Sequence, residues 1–163
     1  MIRLFALIRT VFFAAIFVSF WMWLIPRWTI GALQIVHPQA WTVIALGGAI
    51  CGWCFLEFAL RGLGTPAPFD APRRLVVSGV YRFVRNPMYV GMSVLLLGEA
   101  WLTGRAGLVV ETLVLIAFTS LLVMAYEEPV LRTKFGEDYA EYCRNVRRWI
   151  PRLTPWYSRP HLE

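Results

Sequence analysis

A chain of 163 residues has room for one domain but not for two. Hydrophobic residues make up 58% and charged residues 16%, with a mean hydropathy of +0.58, which excludes an ordinary water-soluble globular domain. The formal charge of +6 does not lead to nucleic acid, because the basic residues are not gathered on an aromatic-interleaved soluble module; anionic lipid headgroups and an anionic cofactor fit it better.

Four stretches meet the roughly 17 to 25 mainly apolar residues that a bilayer crossing needs, at 4–25, 41–60, 88–104 and 106–126. The first ends in Trp23-Leu24-Ile25-Pro26 rather than a small-residue cleavage pattern, so it reads as a retained anchor. Between the first two, Trp28 to Ala40 is apolar but too short to cross, and is expected at the interface or as a re-entrant segment. It holds His37 before Pro38, a loop pattern. The third stretch has a short apolar centre, Met88 to Leu102, extended by its flanks.

The basic residues orient these spans. Arg3 and Arg9 lie at the start of the chain; Arg61, Arg73, Arg74, Arg82 and Arg85 lie between the second and third; Arg132, Lys134, Arg144, Arg147, Arg148, Arg152 and Arg159 follow the fourth. Only Arg27 and Arg105 fall on the other side. The positive-inside rule makes both termini and the middle loop cytoplasmic. The chain reads as all-α: a polytopic helical bundle in one membrane domain over 1–163, closed by an interfacial amphipathic helix.

Charged groups inside the spans need a reason, since hydrocarbon penalises each by a few kcal/mol (about 2.5 to 3.5 at the centre) if it stays unpaired. Glu57 and Arg61 stand four apart, as in a helix-surface ion pair. Glu99 and Glu111, separated by a turn containing Arg105, have no such partner, and Glu99 is a candidate to line a substrate pocket. Cys51, Cys54 and Cys143 form an odd set inside apolar sequence and read as packing residues, with no metal site expected.

The chemistry is expected in the cytoplasmic loop 62–87 and tail 127–152. Glycines and prolines from Gly62 to Pro72 exclude regular structure. Asn86 then suits an N-cap and Pro87 the first helical position. Tyr81, Arg82, Arg85 and Tyr89 crowd this helix start, whose free N–H groups and dipole favour an anionic ligand group. At the other end of the sequence pair, Glu127 and Glu128 close the fourth span, where the helix dipole disfavours acids. Such local disagreement points to function, either hydrogen bonding to a ribose or offsetting a sulfonium, with salt bridges to Arg82, Arg85 or Arg132 as the alternative. Beyond Gly136, the residues Tyr139, Tyr142, Cys143, Val146 and Trp149 or Ile150 share a helical face, which predicts the amphipathic helix up to Pro151. An interfacial tail, Arg152 to Tyr157, follows, and Leu162-Glu163 reads as an appended scar.

The ordered set Leu75-Val76, Gly79-Val80-Tyr81, Arg85-Asn86-Pro87-Met88-Tyr89-Val90-Gly91, Glu127-Glu128 and Phe135-Gly136-Glu137-Asp138-Tyr139 with Tyr142 resembles a known family over residues 62 to 151. These are the integral membrane methyltransferases related to isoprenylcysteine carboxyl methyltransferase, which include phospholipid N-methyltransferases. The resemblance implies S-adenosylmethionine as cofactor, contacted by Arg73, Arg74, Leu75, Val76, Tyr81, Asn86, Pro87, Met88, Tyr89 and Glu127. Asn86 stands where the eukaryotic carboxyl methyltransferases have His, as is common in the bacterial branch. Val123 stands where those enzymes carry a substrate-binding arginine, four residues before the glutamate, which argues against a prenylcysteine carboxylate as acceptor.

The implied reaction is in-line displacement at a sulfonium methyl, in which the protein mainly aligns donor and acceptor. A lipid or isoprenoid-like small molecule is the implied acceptor. An amine or phenol would have to lose a proton; Glu128 and Glu99 are the candidates to take it, with Arg85 the third candidate for the chemistry. Two other readings of the same residues are a nicotinamide-dependent membrane reductase, whose C-terminal part shares the Arg-x-Pro-x-Tyr pattern, and a non-catalytic protein of the same fold.

Overall fold

The computed structural model describes residues 34–62 and 74–157, together with the isolated positions 12, 16, 19 and 20. Apart from those four positions, the expected first span with residues 21–33, the Gly- and Pro-rich residues 63–73 including Arg73, and the end of the chain with Leu162-Glu163 lie outside the described residues. Among those described, all regular structure is helical and none is strand.

After a short turn at Pro38–Ala40, helix α1 runs over Trp41–Glu57 and continues as a π-helical turn, Phe58–Gly62. Helix α2 spans Pro87–Thr103 and stops at Gly104, whose φ of 65° places it in the left-handed region that ends helices cheaply. Helix α3, Ala106–Leu122, returns and passes through a π-helical turn, Val123–Glu127, into α4, Glu128–Asn145. Gly136, at φ 51° and ψ −124°, breaks α4 into two pieces. These bounds place helix over the expected second, third and fourth spans. Two of the helices are long and apolar enough to cross a membrane: Pro38–Glu57, with a mean hydropathy of 1.5, and the one starting at Ala106, with 2.4.

Small residues bring α1 and α2 together. A Cβ on Gly47 would meet the Gly91 carbonyl oxygen at 2.7 Å and the Leu95 nitrogen at 2.8 Å, and one on Gly98 would meet the Ile44 side chain at 2.7 Å. The pairing of 44 with 98 and 47 with 91 makes the helices antiparallel. Close backbone approach of this kind is how helices associate where lipid removes the hydrophobic drive. Cys51 and Cys54 are buried in this contact with Met88, Met92 and Leu96, as packing residues. Meanwhile Leu113, Val114, Phe118 and Leu121 of α3 and Leu46, Trp53 and Leu56 of α1 point outward and remain more than half exposed. So much exposed apolar surface requires a lipid or protein neighbour.

The two ends of α2 differ in what meets them. At its C-terminal end, the Leu102 carbonyl accepts from the backbone N–H groups of Val36 and His37 at 2.8 and 3.0 Å, so His37 is part of the chain entering α1. At its N-terminal end, the last turn of α1, the 74–86 segment and the tail after α4 converge.

Candidate functional site

That convergence begins with a lock between α1 and the loop. Glu57, buried at the end of α1, accepts from the Ser78 hydroxyl and from Trp53 Nε1 at 3.2 Å, and pairs with Arg61 at 3.1 Å. The expected i, i+4 pair is present, but it is one contact of four-residue node that fixes the loop 21 positions away. Gly79 completes it. Its φ of 54° is strained for any other residue, and a Cβ there would strike Glu57 and meet Trp53 Nε1 at 2.6 Å. The turn Gly79–Arg82 that follows buries Tyr81, whose carbonyl accepts from the Tyr142 hydroxyl of α4 at 2.7 Å.

The helix then starts at Pro87 as the sequence predicts, but Asn86 does not cap it through its side chain. Its amide Nδ2 donates instead to the Arg148 carbonyl, 3.2 Å away across 62 residues of sequence. The reason lies in the tail. Val146 is already extended, so α4 ends at Asn145 rather than reaching Pro151. Freed from the helix, the tail lies along the loop: Arg85 N–H donates to the Arg147 carbonyl at 3.0 Å, Arg152 N–H to Phe83 at 2.9 Å and Trp156 N–H to Arg82 at 3.0 Å. Of the residues expected to share one helical face, Tyr139, Tyr142 and Val146 turn into the protein against Val77, with Leu75, Phe135 and Trp156 beside them.

Two acid centres sit side by side where α2 begins and α3 ends. Tyr89, in the first turn of α2, donates its hydroxyl to Glu127 Oε1. Glu128, only 6% exposed, receives Arg148 through both oxygens, at 2.7 Å from Nε and 3.0 Å from Nη2, and Arg85 Nη1 at 3.3 Å. The bidentate fork is the stronger kind of ion pair. Burial would push the Glu128 carboxyl up, but the Arg148 hydrogen bonds and the guanidinium charges of Arg85, Arg148 and Arg132 hold it below the usual carboxylate range. Burial pushes its neighbour Glu127 the other way, above that range, with the Tyr89 hydrogen bond opposing and the Glu128 charge adding. Trp149 closes the group, its ring 6.5 Å from that of Tyr89.

Of the site residues expected from sequence, Asn86, Pro87, Tyr89, Glu127, Glu128 and Arg85 come together here, with Tyr81 buried beside them. Val76 and Met88 are buried in the core below, Leu75 packs towards α4, and Arg74 is exposed. Glu99 does not join them: ten residues along α2 from Tyr89, it is about 15 Å away. There it lies with Glu111, and among the described residues Glu99 Oε2 and both Glu111 oxygens are buried without a hydrogen-bond partner. Arg148 and the Glu57 node were not anticipated. No spacing rule links positions 20 and 21 residues apart, and Arg148 looked like one more basic residue on a surface helix.

The arrangement can hold a ligand that carries both charges. A buried acid raised above its ordinary range gains from a cation beside it, which suits a sulfonium, and its oxygens suit ribose hydroxyls. On the other flank Arg85 keeps a buried Nε with no hydrogen-bond partner among the described residues, a donor suited to a carboxylate. These residues fit S-adenosylmethionine.

Comparison with known proteins bears on the same region. The family model described as phospholipid methyltransferase matches residues 36–138, which runs from the entry to α1 through the first piece of α4. A probable protein-S-isoprenylcysteine O-methyltransferase of Oryza sativa subsp. indica is 36% identical over 84 residues, covering 51% of this chain and 44% of the relative. The protein-S-isoprenylcysteine O-methyltransferase of Schizosaccharomyces pombe is 37% identical over 78 residues, 47% of this chain and 33% of the relative. A phosphatidylethanolamine N-methyltransferase of Talaromyces marneffei is 27% identical over 118 residues, 69% of this chain and 11% of the relative. The chain thus matches less than half the length of each of these curated relatives. No solved structure matches it.

Proposed function

The chain belongs to the phospholipid methyltransferase family, and from that premise we propose that it transfers the methyl group of S-adenosylmethionine to a lipophilic acceptor held in the membrane. The observation that carries this reading is the Tyr89 to Glu127 contact, which ties the start of α2 to the end of α3 beside Arg85. It joins, on one small surface, an acid able to face a sulfonium or a ribose and a base able to face a carboxylate.

The cofactor, when bound, supplies an already activated methyl on a positively charged sulfur. The residues have three tasks. Glu127, oriented by Tyr89, faces the positive side; Arg85, whose buried Nε has no hydrogen-bond partner among the described residues, takes the carboxylate side. Glu128 keeps Arg85 and Arg148 in place and is a positioning residue, since two guanidiniums hold it ionised. Trp149 and the tail cover the helix start and exclude water, leaving alignment to supply most of the rate.

The acceptor enters laterally from the bilayer and is a lipid or isoprenoid-like molecule. Glu99 lies on its path rather than at the methyl group, given the distance from Tyr89. Four spans with both termini cytoplasmic are supported by the lopsided charge distribution. Val123, apolar and 1% exposed, offers no charge for a prenylcysteine carboxylate.

Calorimetric titration of the purified full chain in detergent tests the reading. It is expected to bind S-adenosylmethionine and not NADPH. Tyr89→Phe is expected to weaken binding about tenfold, the value of one hydrogen bond to a charged group, and Glu127→Ala to weaken it further. Unchanged binding in both variants would place the pocket elsewhere; binding of NADPH instead would make the chain a reductase. Transfer of label from methyl-labelled cofactor into a lipid extract then identifies the acceptor class.

A further inference from the structure

The tail from Val146 to Tyr157 has two sides. One is taken up by the protein: Val146 is buried, Trp149 stacks near Tyr89, and Trp156 lies 5.7 Å from the Tyr142 ring. The other carries Ile150, 62% exposed, Leu153, 101% exposed, and Tyr157, 63% exposed. An isoleucine and a leucine held out in this way on an ordered backbone have no use in water. Interspersed with them are Arg147, Arg148 and Arg152, and the segment contains no acid.

Its level in the molecule is fixed by the backbone bonds to Arg82 and Phe83, a few residues before α2 begins. On the proposed topology this is the cytoplasmic headgroup layer. Arg147 is the exposed arginine on this side, since Arg148 is held by Glu128 and Arg152 donates to the Asn145 carbonyl. Apolar side chains beside an exposed arginine match that layer when it is anionic, the chains entering the acyl boundary and the guanidinium meeting phosphate. We infer that the outer side of the tail is a docking surface for anionic lipid headgroups, and that this docking tightens the strap over the cofactor site. The inference rests on the proposed topology but not on the identity of the cofactor.

The backbone bonds make the coupling direct. The backbone of the same tail holds Arg85 through the Arg147 carbonyl and Asn86 through the Arg148 carbonyl. A tail pinned at the leaflet keeps those two residues placed, and a loosened tail frees them.

The test uses the full chain in nanodiscs of phosphatidylcholine alone, or of phosphatidylcholine with phosphatidylglycerol, and follows hydrogen–deuterium exchange over residues 146–157. Exchange is expected to slow about fivefold in the anionic discs, the effect of one arginine at a charged surface, and to return to the neutral rate at high salt. Leu153→Ser and Arg147→Gln change only outward-facing side chains and are expected to remove the difference while leaving the rate in neutral discs unchanged. Equal exchange in the two lipids, or a difference that survives both substitutions, overturns the inference. S-adenosylmethionine titration in the same discs is a separate measurement. Lipid-dependent exchange without cofactor binding would sink the proposed activity and keep the docking surface; cofactor binding with lipid-independent exchange would do the reverse.

Discussion

The hairpin of α2 and α3 carries a pair of carboxylates at each end, and the two pairs live in opposite conditions. At the end where α2 begins, Glu127 has Tyr89, and Glu128 has Arg148 and Arg85. At the turn end the buried oxygens of Glu99 and Glu111 have no hydrogen-bond partner among the described residues. The helices themselves are alike in length and apolarity, so they do not make the difference. It comes from what is brought to them: the loop before α2 delivers Arg85 and the tail after α4 delivers Arg148. A buried acid with a fixed counter-ion is a part of the scaffold that can organise a ligand, whereas one without is a standing cost that fold stability alone does not explain.

Breaking the satisfied end has the largest expected effect. Glu128→Ala leaves Arg85 and Arg148 facing each other without their shared anion, and a lost buried partner costs about 3 kcal/mol. Thermal unfolding in detergent should show a drop in Tm of several degrees, together with weaker cofactor binding as Arg85 moves. The pH dependence has a definite sign. The folded state holds Glu128 below the usual carboxylate range, so its contribution is complete above that range and is lost as pH falls through it. Glu128→Gln should therefore lose the corresponding part of the acid sensitivity of Tm. An unchanged acid limb would mean that the ion pairs are not formed in solution.

How much of this contrast was legible from sequence depends on the reach of the contacts. The apolar runs gave α1, α2 and α3 to within a few residues, because helix period and Pro87 and Gly104 act locally. The co-location of Tyr89 with Glu127 came from the family resemblance, not from spacing. The counter-ion did not come at all: Arg148 is 20 residues from Glu128, and the helix that should have kept it on the surface ends at Asn145. Continued apolar spacing to Ile150 suggested a longer helix, yet Val146 onward gains more from backbone bonds to Arg82, Phe83 and Arg85. Asn86 stands at the N-cap as the sequence predicts, but for the same reason its amide goes to that tail instead of to its own helix. Periodicity reports which face of a segment is apolar; it does not report which other segment will cover it.

The unsatisfied end predicts a change of opposite sign. Glu99→Leu removes an acid that the hydrocarbon level disfavours, and should stabilise the fold by about 1 to 2 kcal/mol. With about 15 Å between Glu99 and Tyr89, cofactor affinity should not change. Turnover is the informative readout: a stabilised variant that binds cofactor normally but no longer methylates its acceptor assigns Glu99 to the acceptor path. A fall in Tm would instead show that a partner holds the carboxyl, and the contrast between the two ends would disappear.

The smallest expected effect comes from a pair on the same helix as Glu128. Glu137 and Arg144 approach to 2.6 Å, closer than any contact to Glu128, yet their side chains are 78% and 62% exposed. Water solvates both charges and salt screens them, so distance alone does not make the pair matter. Glu137→Ala should leave Tm, cofactor binding and acid sensitivity where they were. If it matched Glu128→Ala, then acids anywhere on α4 would act alike, and burial with two guanidiniums could no longer be what sets Glu128 apart.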